Sequence, residues 1–173
     1  MIHGDIKPQN VLVFTDAAGK STVKMTDFGY STLATGETGT IYLPKERPWN
    51  SPEHHFGRFT PTEAKKSDIY TFGLLCLWVI FPNCLLNIPS CNTECGTESG
   101  SFDRPTGPRT LLERLKDDDQ VESIAVRHVQ SAPYLRAKLK ICLKEFFRLT
   151  VTHNPAKRTS DLGKLVGLLS YSQ

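Results

Sequence analysis

The sequence has no apolar run long enough to cross a membrane, no C-x-x-C pair, no internal repeat and no strong charge of one sign. A spanning helix needs about 20 apolar residues. The one strongly apolar stretch, residues 69–81, starts after Asp68, contains Thr71 and Gly73, and is broken by Pro82 and Asn83 even when extended to Ile88. A buried core helix is expected instead. The five cysteines are odd in number. Cys84, Cys91 and Cys95 include no C-x-x-C pair and have no histidine close by, so zinc is not expected. Cys76 and Cys142 lie in apolar segments and read as small hydrophobes. Met1-Ile2-His3-Gly4-Asp5 has neither a basic n-region nor an apolar h-region, which points to reduced thiols in a cytoplasmic or nuclear compartment. The net charge of +3 does not by itself call for nucleic acid or a membrane surface as partner.

With 173 residues, 39% apolar and 23% charged, the chain is one domain or a large piece of one. Its first 29 residues carry most of the organisation. A polar segment holding Asp5 and Asn10 leads into the apolar run 11–14, a turn-rich stretch follows, and a second run, 23–26, ends at Asp27. Paired as an antiparallel hairpin, the two runs set Val11 opposite Met25 or Thr26 and bring Asn10 beside Asp27. Strand neighbours lie only ~5 Å apart, so an amide oxygen and a carboxylate could share one cation.

Residues 27–53 form a Gly/Thr/Pro-rich loop long enough to suggest function. Thr60-Pro61-Thr62-Glu63 reads as a capping box with proline at the first helical position, though a start nearer Ser67-Asp68 fits equally; the buried helix runs to about Phe81. Residues 89–109 form a flexible polar loop. Residues 110–116 and 121–129 read as short surface helices separated by Asp117-Asp118-Asp119. Residues 133–150 form an amphipathic helix with Leu135, Leu139, Cys142, Leu143, Phe146 and Leu149 on one face. A last helix begins near Thr159-Ser160 and carries Leu162, Leu165, Val166 and Leu169. The fold class is mainly α with one small β-hairpin. His54-His55 reads as part of a surface turn, and the stripe Arg136, Lys140, Lys144, Arg148 as a solvated helix face.

His3-Gly4-Asp5-Ile6-Lys7-Pro8-Gln9-Asn10, then Asp27-Phe28-Gly29, then Ser51-Pro52-Glu53 resemble, in order, the catalytic loop, metal-binding motif and A-P-E motif of the protein kinase family. Each motif alone is weak, and any one aspartate or asparagine alone reads as a turn residue. The resemblance implies an ATP- and magnesium-dependent transfer of phosphate to a protein hydroxyl. Asp5 would orient or deprotonate that hydroxyl. Asn10 and Asp27 would supply hard oxygen ligands to Mg2+. Lys7 would place a positive charge near the phosphates, and a lysine two positions after the aspartate is similar to the Ser/Thr branch. Gly29 would give the backbone after Phe28 unusual freedom. Lys66 to Gly73 looks like the start of the family's central buried helix, so Asp68 would bond the backbone around His3 and Gly4. Asn154-Pro155-Ala156-Lys157-Arg158 resembles a late family motif in which Arg158 would pair with Glu53.

Residues 1–173 thus resemble a partial kinase domain, the C-terminal lobe from catalytic loop to last helix, with 27–53 as activation segment. Two departures follow. Gly4 stands where the family usually has arginine, so the cation that would gather a phosphorylated activation segment is missing. Thr32, Thr35, Thr38, Thr40 and Tyr42 are available for modification, yet activity is expected not to need it. No G-x-G-x-x-G occurs, so the N-terminal lobe that would cover the nucleotide is absent from this stretch, and transfer by it alone is expected to be very poor. The alternative to an enzyme is a pseudokinase-like helical scaffold that binds protein partners without catalysis. Neither reading expects nucleic acid or a membrane.

Overall fold

The computed structural model describes residues 1–33, 39–44, 47–82 and 110–170, with the side chain of Phe56 excepted. The expected linker 89–109, Cys84, Cys91, Cys95, Thr35 and Thr38 lie outside the described residues. One two-stranded antiparallel sheet, β1 (Val11–Thr15) and β2 (Ser21–Met25), precedes five described helices: α1 (Pro61–Ile80), α2 (Leu111–Asp117), α3 (Val121–Ser131), α4 (Ala137–Thr150) and α5 (Leu162–Ser170). Short 3-10 turns at Pro8–Asn10, Pro52–Phe56 and Pro155–Lys157 each start on proline, whose fixed φ suits a first helical position.

Helix α1 is the axis of the body. It starts at the Thr60 cap: the Thr60 hydroxyl accepts from Glu63 N at 3.3 Å, and the Glu63 carboxylate accepts from Thr60 N at 2.7 Å. The alternative start at Ser67-Asp68 is therefore one to two turns too late. Tyr70, Leu74 and Leu77 of α1 pack with Leu112, Val121, Ala125, Val129, Leu143 and Phe146 in one continuous core. From Ile69 to Leu77 every side chain is buried or half-buried, as in a helix segment surrounded by protein, and no described helix is long and apolar enough to cross a membrane. Where α1 meets α4, a Cβ on Gly73 would stand 2.5 Å from Thr150 Oγ1 and 2.7 Å from Val151 Cγ1. Only glycine lets the two helices come this close.

The helical boundaries differ from the expectation in two places. α4 begins at Ala137 instead of Pro133, because residues 133–135 form a turn after α3. The last helix starts at Leu162, two residues after Ser160, since the side chains of Thr159 and Asp161 are spent on local backbone N–H groups. α2 and α3 lie at the surface as expected, yet each buries one stripe: Leu112 and Lys116 on α2, and Val121, Ala125 and Val129 on α3. Their polar composition hid a narrow inward stripe.

A second, smaller cluster joins Ile2, Ile41, Leu43, Phe59 and Ala64. Paired backbone bonds reinforce it: Ile2 with Thr32 at 2.9 and 3.1 Å, and Ile41 with Phe59 at 2.8 and 3.0 Å. These bonds tie two points of the 27–53 stretch to the first residues and to the start of α1. Ser51 and Ser67, both buried, share a hydroxyl hydrogen bond of 2.8 Å, which fixes the end of that stretch on α1.

Candidate active site

The first ten residues gather around two buried polar side chains, Asp5 and Asn10, exposed by only 5% and 6%. The 3-10 turn Pro8–Asn10 folds the segment back, so Asn10 Nδ2 donates both to the Asp5 carbonyl at 2.8 Å and to Asp5 Oδ2 at 2.9 Å. Lys7 Nζ approaches the same Oδ2 at 3.0 Å. Asp5 is thereby held as a carboxylate with one oxygen facing two donors. With both amide hydrogens directed at Asp5, the asparagine's carbonyl oxygen is the atom left for a ligand.

Asp68, on the third turn of α1, accepts from His3 N at 2.6 Å and from Gly4 N at 2.9 Å. Burial raises the Asp68 pKa, and the two backbone N–H bonds and His3 oppose that rise. The carboxylate is desolvated to hold a bend in the main chain. That bend puts Gly4 at φ +83°, a region that favours glycine. A Cβ there would meet Leu43 Cδ2 and the Tyr30 carbonyl oxygen, each at 3.1 Å. Any side chain there would need Leu43 and the Tyr30 carbonyl to give way by a few tenths of an ångström.

His3 links this bend to the end of the hairpin. Its Nδ1 accepts from Asp5 N at 3.3 Å and its Nε2 faces the Thr26 carbonyl at 3.1 Å, which fits a ring protonated on Nε2. Phe28 packs its ring 5.0 Å from the imidazole.

The hairpin register needs one correction. Val11 pairs with Met25, and Thr26 N donates to the Asn10 carbonyl at 2.9 Å. Asn10 is thus opposite Thr26, and Asp27 lies one residue beyond it. A register is quantised, and the ladder with Met25 leaves Thr26 as the neighbour. Asp27 then turns away from the strand at φ +57°, exposed, its Oδ1 accepting from Gly29 N at 3.3 Å. Gly29 itself does not adopt a positive φ. The backbone freedom expected at the glycine is exercised at the aspartate, a residue type that tolerates this region.

As oxygen donors, Asn10 and Asp27 fit magnesium, which takes one or two protein oxygens and completes its shell with water and phosphate. No cluster of three His, Cys, Asp or Glu side chains occurs among the described residues, which leaves no competing all-protein metal site there.

Glu53 and Arg158 meet 105 positions apart in sequence: Nη1 lies 2.5 Å from Oε1 and Nη2 2.9 Å from Oε2. The guanidinium also donates to the carbonyls of Thr152, His153 and Lys66 and stacks 4.6 Å from the Tyr70 ring centroid. Burial pushes the Tyr70 phenol above its ordinary range.

Several residues near the site were not singled out by the sequence. His54 is buried, its ring 5.4 Å from Phe59, where a surface turn was expected; only His55 is exposed. Trp49 lies in the main core with its ring 6.1 Å from Trp78 and nearly perpendicular to it. Lys116 is buried and donates to the carbonyls of Pro48 and Asn50. Its place four residues after Leu112, on the same helix face, was the available signal. Elsewhere Lys140 and Lys144 of the basic stripe both bond Gln130. Cys76 is partly buried in α1, and burial pushes its thiol up to about 12, that of an inert hydrophobe.

The family profile described as "Protein kinase domain" matches residues 1–160. A probable leucine-rich repeat receptor-like protein kinase of Arabidopsis thaliana is 35% identical over 112 residues, covering 65% of this chain and 14% of that protein. The dual specificity protein kinase shkD of Dictyostelium discoideum is 36% identical over 81 residues, 46% of this chain and 10% of its own length. The tyrosine-protein kinase transforming protein Abl of Abelson murine leukemia virus is 38% identical over 82 residues, again 46% and 10%. The chain therefore spans a seventh or less of the length of these relatives. With the profile match running over nearly its whole length, the chain belongs to the protein kinase family.

Proposed function

We propose that residues 1–173 form the C-terminal lobe of a serine/threonine kinase domain that transfers the terminal phosphate of magnesium-ATP to a protein hydroxyl. The observation that carries this reading is the Asp5 carboxylate: buried, bonded by Asn10 and Lys7, and seated on a main-chain bend that Asp68 holds. A carboxylate so restrained is suited to orient a hydroxyl and receive its proton. Asn10 and Asp27 would hold magnesium, which when bound neutralises phosphate charge. Lys7 sits beside Asp5 and would carry a point charge to the transferred group while leaving the carboxylate free to face substrate.

The Ser/Thr assignment rests on Lys7, and the relatives include tyrosine and dual-specificity kinases, so peptide choice is the deciding measurement. With a nucleotide-covering lobe supplied ahead of residue 1, the purified protein is expected to bind ATP only with magnesium and to phosphorylate serine or threonine peptides over tyrosine peptides; these residues alone should transfer very poorly. Asp27→Ala should abolish the magnesium-dependent part of binding. Asp5→Asn should leave binding intact and lower transfer by on the order of 10²–10⁴. No nucleotide binding at any magnesium concentration would sink the enzyme reading.

One observation favours a second, scaffolding reading. Val13 and its cross-strand partner Val23 on one face of the hairpin, and Leu12 and Phe14 on the other, are exposed, and exposed apolar surface of this kind commonly meets another protein. A scaffold would show partner binding unaffected by Asp5→Asn or Asp27→Ala.

A further inference from the structure

Lys116 is a buried cation that the reaction geometry above does not use. It projects from α2 and reaches back across 66 to 68 residues to the turn just before Ser51-Pro52-Glu53, with Nζ donating to the carbonyls of Pro48 and, at 2.6 Å, of Asn50. Between these two carbonyls the Trp49 side chain enters the core beside Trp78 of α1. Outside them, Arg47 Nη1 pairs with Glu113 of α2 at 3.1 Å. The turn is therefore pinned from three directions: an indole in the core, an ammonium on its carbonyls and an ion pair at its outer edge.

What the turn faces gives the arrangement its interest. Trp49 and Asn50 line one small cleft together with Asp5, Ile6, Ser67 and Thr71. The turn that Lys116 fixes thus shares this cleft with Gly4, Asp5 and Ile6. Moving the turn would move a direct neighbour of the Asp5 segment.

We propose that Lys116 is a positioning residue for the protein substrate: through the carbonyls of Pro48 and Asn50 it sets the turn that shares a cleft with Asp5. The substrate half of this statement rests on the kinase reading above; the fastening of the turn does not. The ammonium offers three N–H groups to the two carbonyls, and charge strengthens each bond. A neutral amine keeps two weaker donors. Burial pushes the Lys116 pKa down to about 7, with Arg47 acting in the same sense and Glu113, Asp117 and Glu53 opposing it. The tighter form therefore prevails below neutrality and the looser form above.

The chain's two tryptophans are the pair at this turn, so near-ultraviolet circular dichroism reports on it directly. In the wild type the tryptophan signal should shift across neutral pH. Lys116→Met, nearly isosteric, and Lys116→Arg, which keeps charge and donors but does not deprotonate, should both remove that shift. All five histidines remain in both variants, so a shift that persists belongs to histidine and overturns the proposal. In transfer assays Lys116→Met should raise the peptide KM about tenfold with the ATP KM within about twofold. Lys116→Arg should restore the peptide KM and flatten its pH profile. An unchanged peptide KM in Lys116→Met also overturns the proposal. If Asp5→Asn and wild type are equally inert even with a nucleotide-covering lobe supplied, the kinase reading has failed, and the positioning role fails with it; the tryptophan titration then still decides the fastening.

Discussion

Arg158 and Lys116 are both buried cations that fasten the chain around Ser51-Pro52-Glu53 to the helical body, at 2% and 6% exposure, yet they keep their charge by different means. Arg158 has a carboxylate in bidentate contact, three carbonyls and an aromatic face. Lys116 has two carbonyls and no carboxylate in direct contact among the bonds described. A guanidinium with that many partners stays charged at any accessible pH. An ammonium held only by dipoles has less to offset its desolvation. The first cation is a permanent fixture and the second is a conditional one.

The contrast can be broken most directly at Arg158. Arg158→Met should cost roughly 3–5 kcal/mol in urea unfolding, because the Glu53 carboxylate is left without its cation. A loss below about 1 kcal/mol would put the pair in the class of exposed surface bridges and erase the distinction. Arg158→Lys should still lose roughly 1.5–3 kcal/mol, since one ammonium replaces a fork that now serves both Glu53 oxygens and several carbonyls.

For Lys116 the expected signature is a slope. Its pKa falls from an ordinary 10.5 to about 7 on folding. Between those values the unfolded chain binds the extra proton, so stability rises with pH across this window, by at most about 1.4 kcal/mol per pH unit. Below pH 7 both states are protonated and above 10.5 both are neutral, so the slope vanishes at either end. Lys116→Met should remove this component from a series of urea midpoints against pH. The slope at Arg158 variants should match that of the wild type; a change there would mean the two cations are coupled through Glu53.

The smallest effect concerns the bend itself. Gly4→Ala should cost about 1–2 kcal/mol from the left-handed backbone, with Leu43 displaced from its 3.1 Å approach. Thermal unfolding would register it, and a neutral result would show that the bend tolerates a side chain.

The two cations also differ in how legible they were. Arg158 and its partner Glu53 were legible only through the resemblance of Asn154-Pro155-Ala156-Lys157-Arg158 and Ser51-Pro52-Glu53 to family motifs. Asp68 was reached the same way, since alone it reads as a helix cap. Lys116 lies in Glu113-Arg114-Leu115-Lys116-Asp117, which looks solvated, and its acceptors are backbone carbonyls that carry no residue identity. His54 escaped for a related reason: beside His55 it reads as surface, and only packing against Phe59 separates the two. The hairpin was legible, Val11 opposite Met25 being one of the two registers expected, but that register pairs Asn10 with Thr26 and sets Asp27 one residue beyond. The capping-box pattern offered the Thr60 start of α1 beside an equal alternative at Ser67-Asp68, while the start of α4 depended on a turn at 133–135 that apolar spacing does not reveal.

The cluster of Ile2, Ile41, Leu43, Phe59 and Ala64 gives the 27–53 stretch an unusual response to its surroundings. An anchor made of phosphate and arginine weakens as salt screens it. An anchor made of aliphatic and aromatic side chains ignores salt and weakens on cooling, because apolar association loses its drive at low temperature. Amide exchange at Ile41 and Phe59, whose N–H groups bond each other's carbonyls, should accordingly be indifferent to salt and faster, relative to the α1 amides, as the protein approaches freezing. The stretch would then be cold-sensitive where a phosphate-gathered one is salt-sensitive.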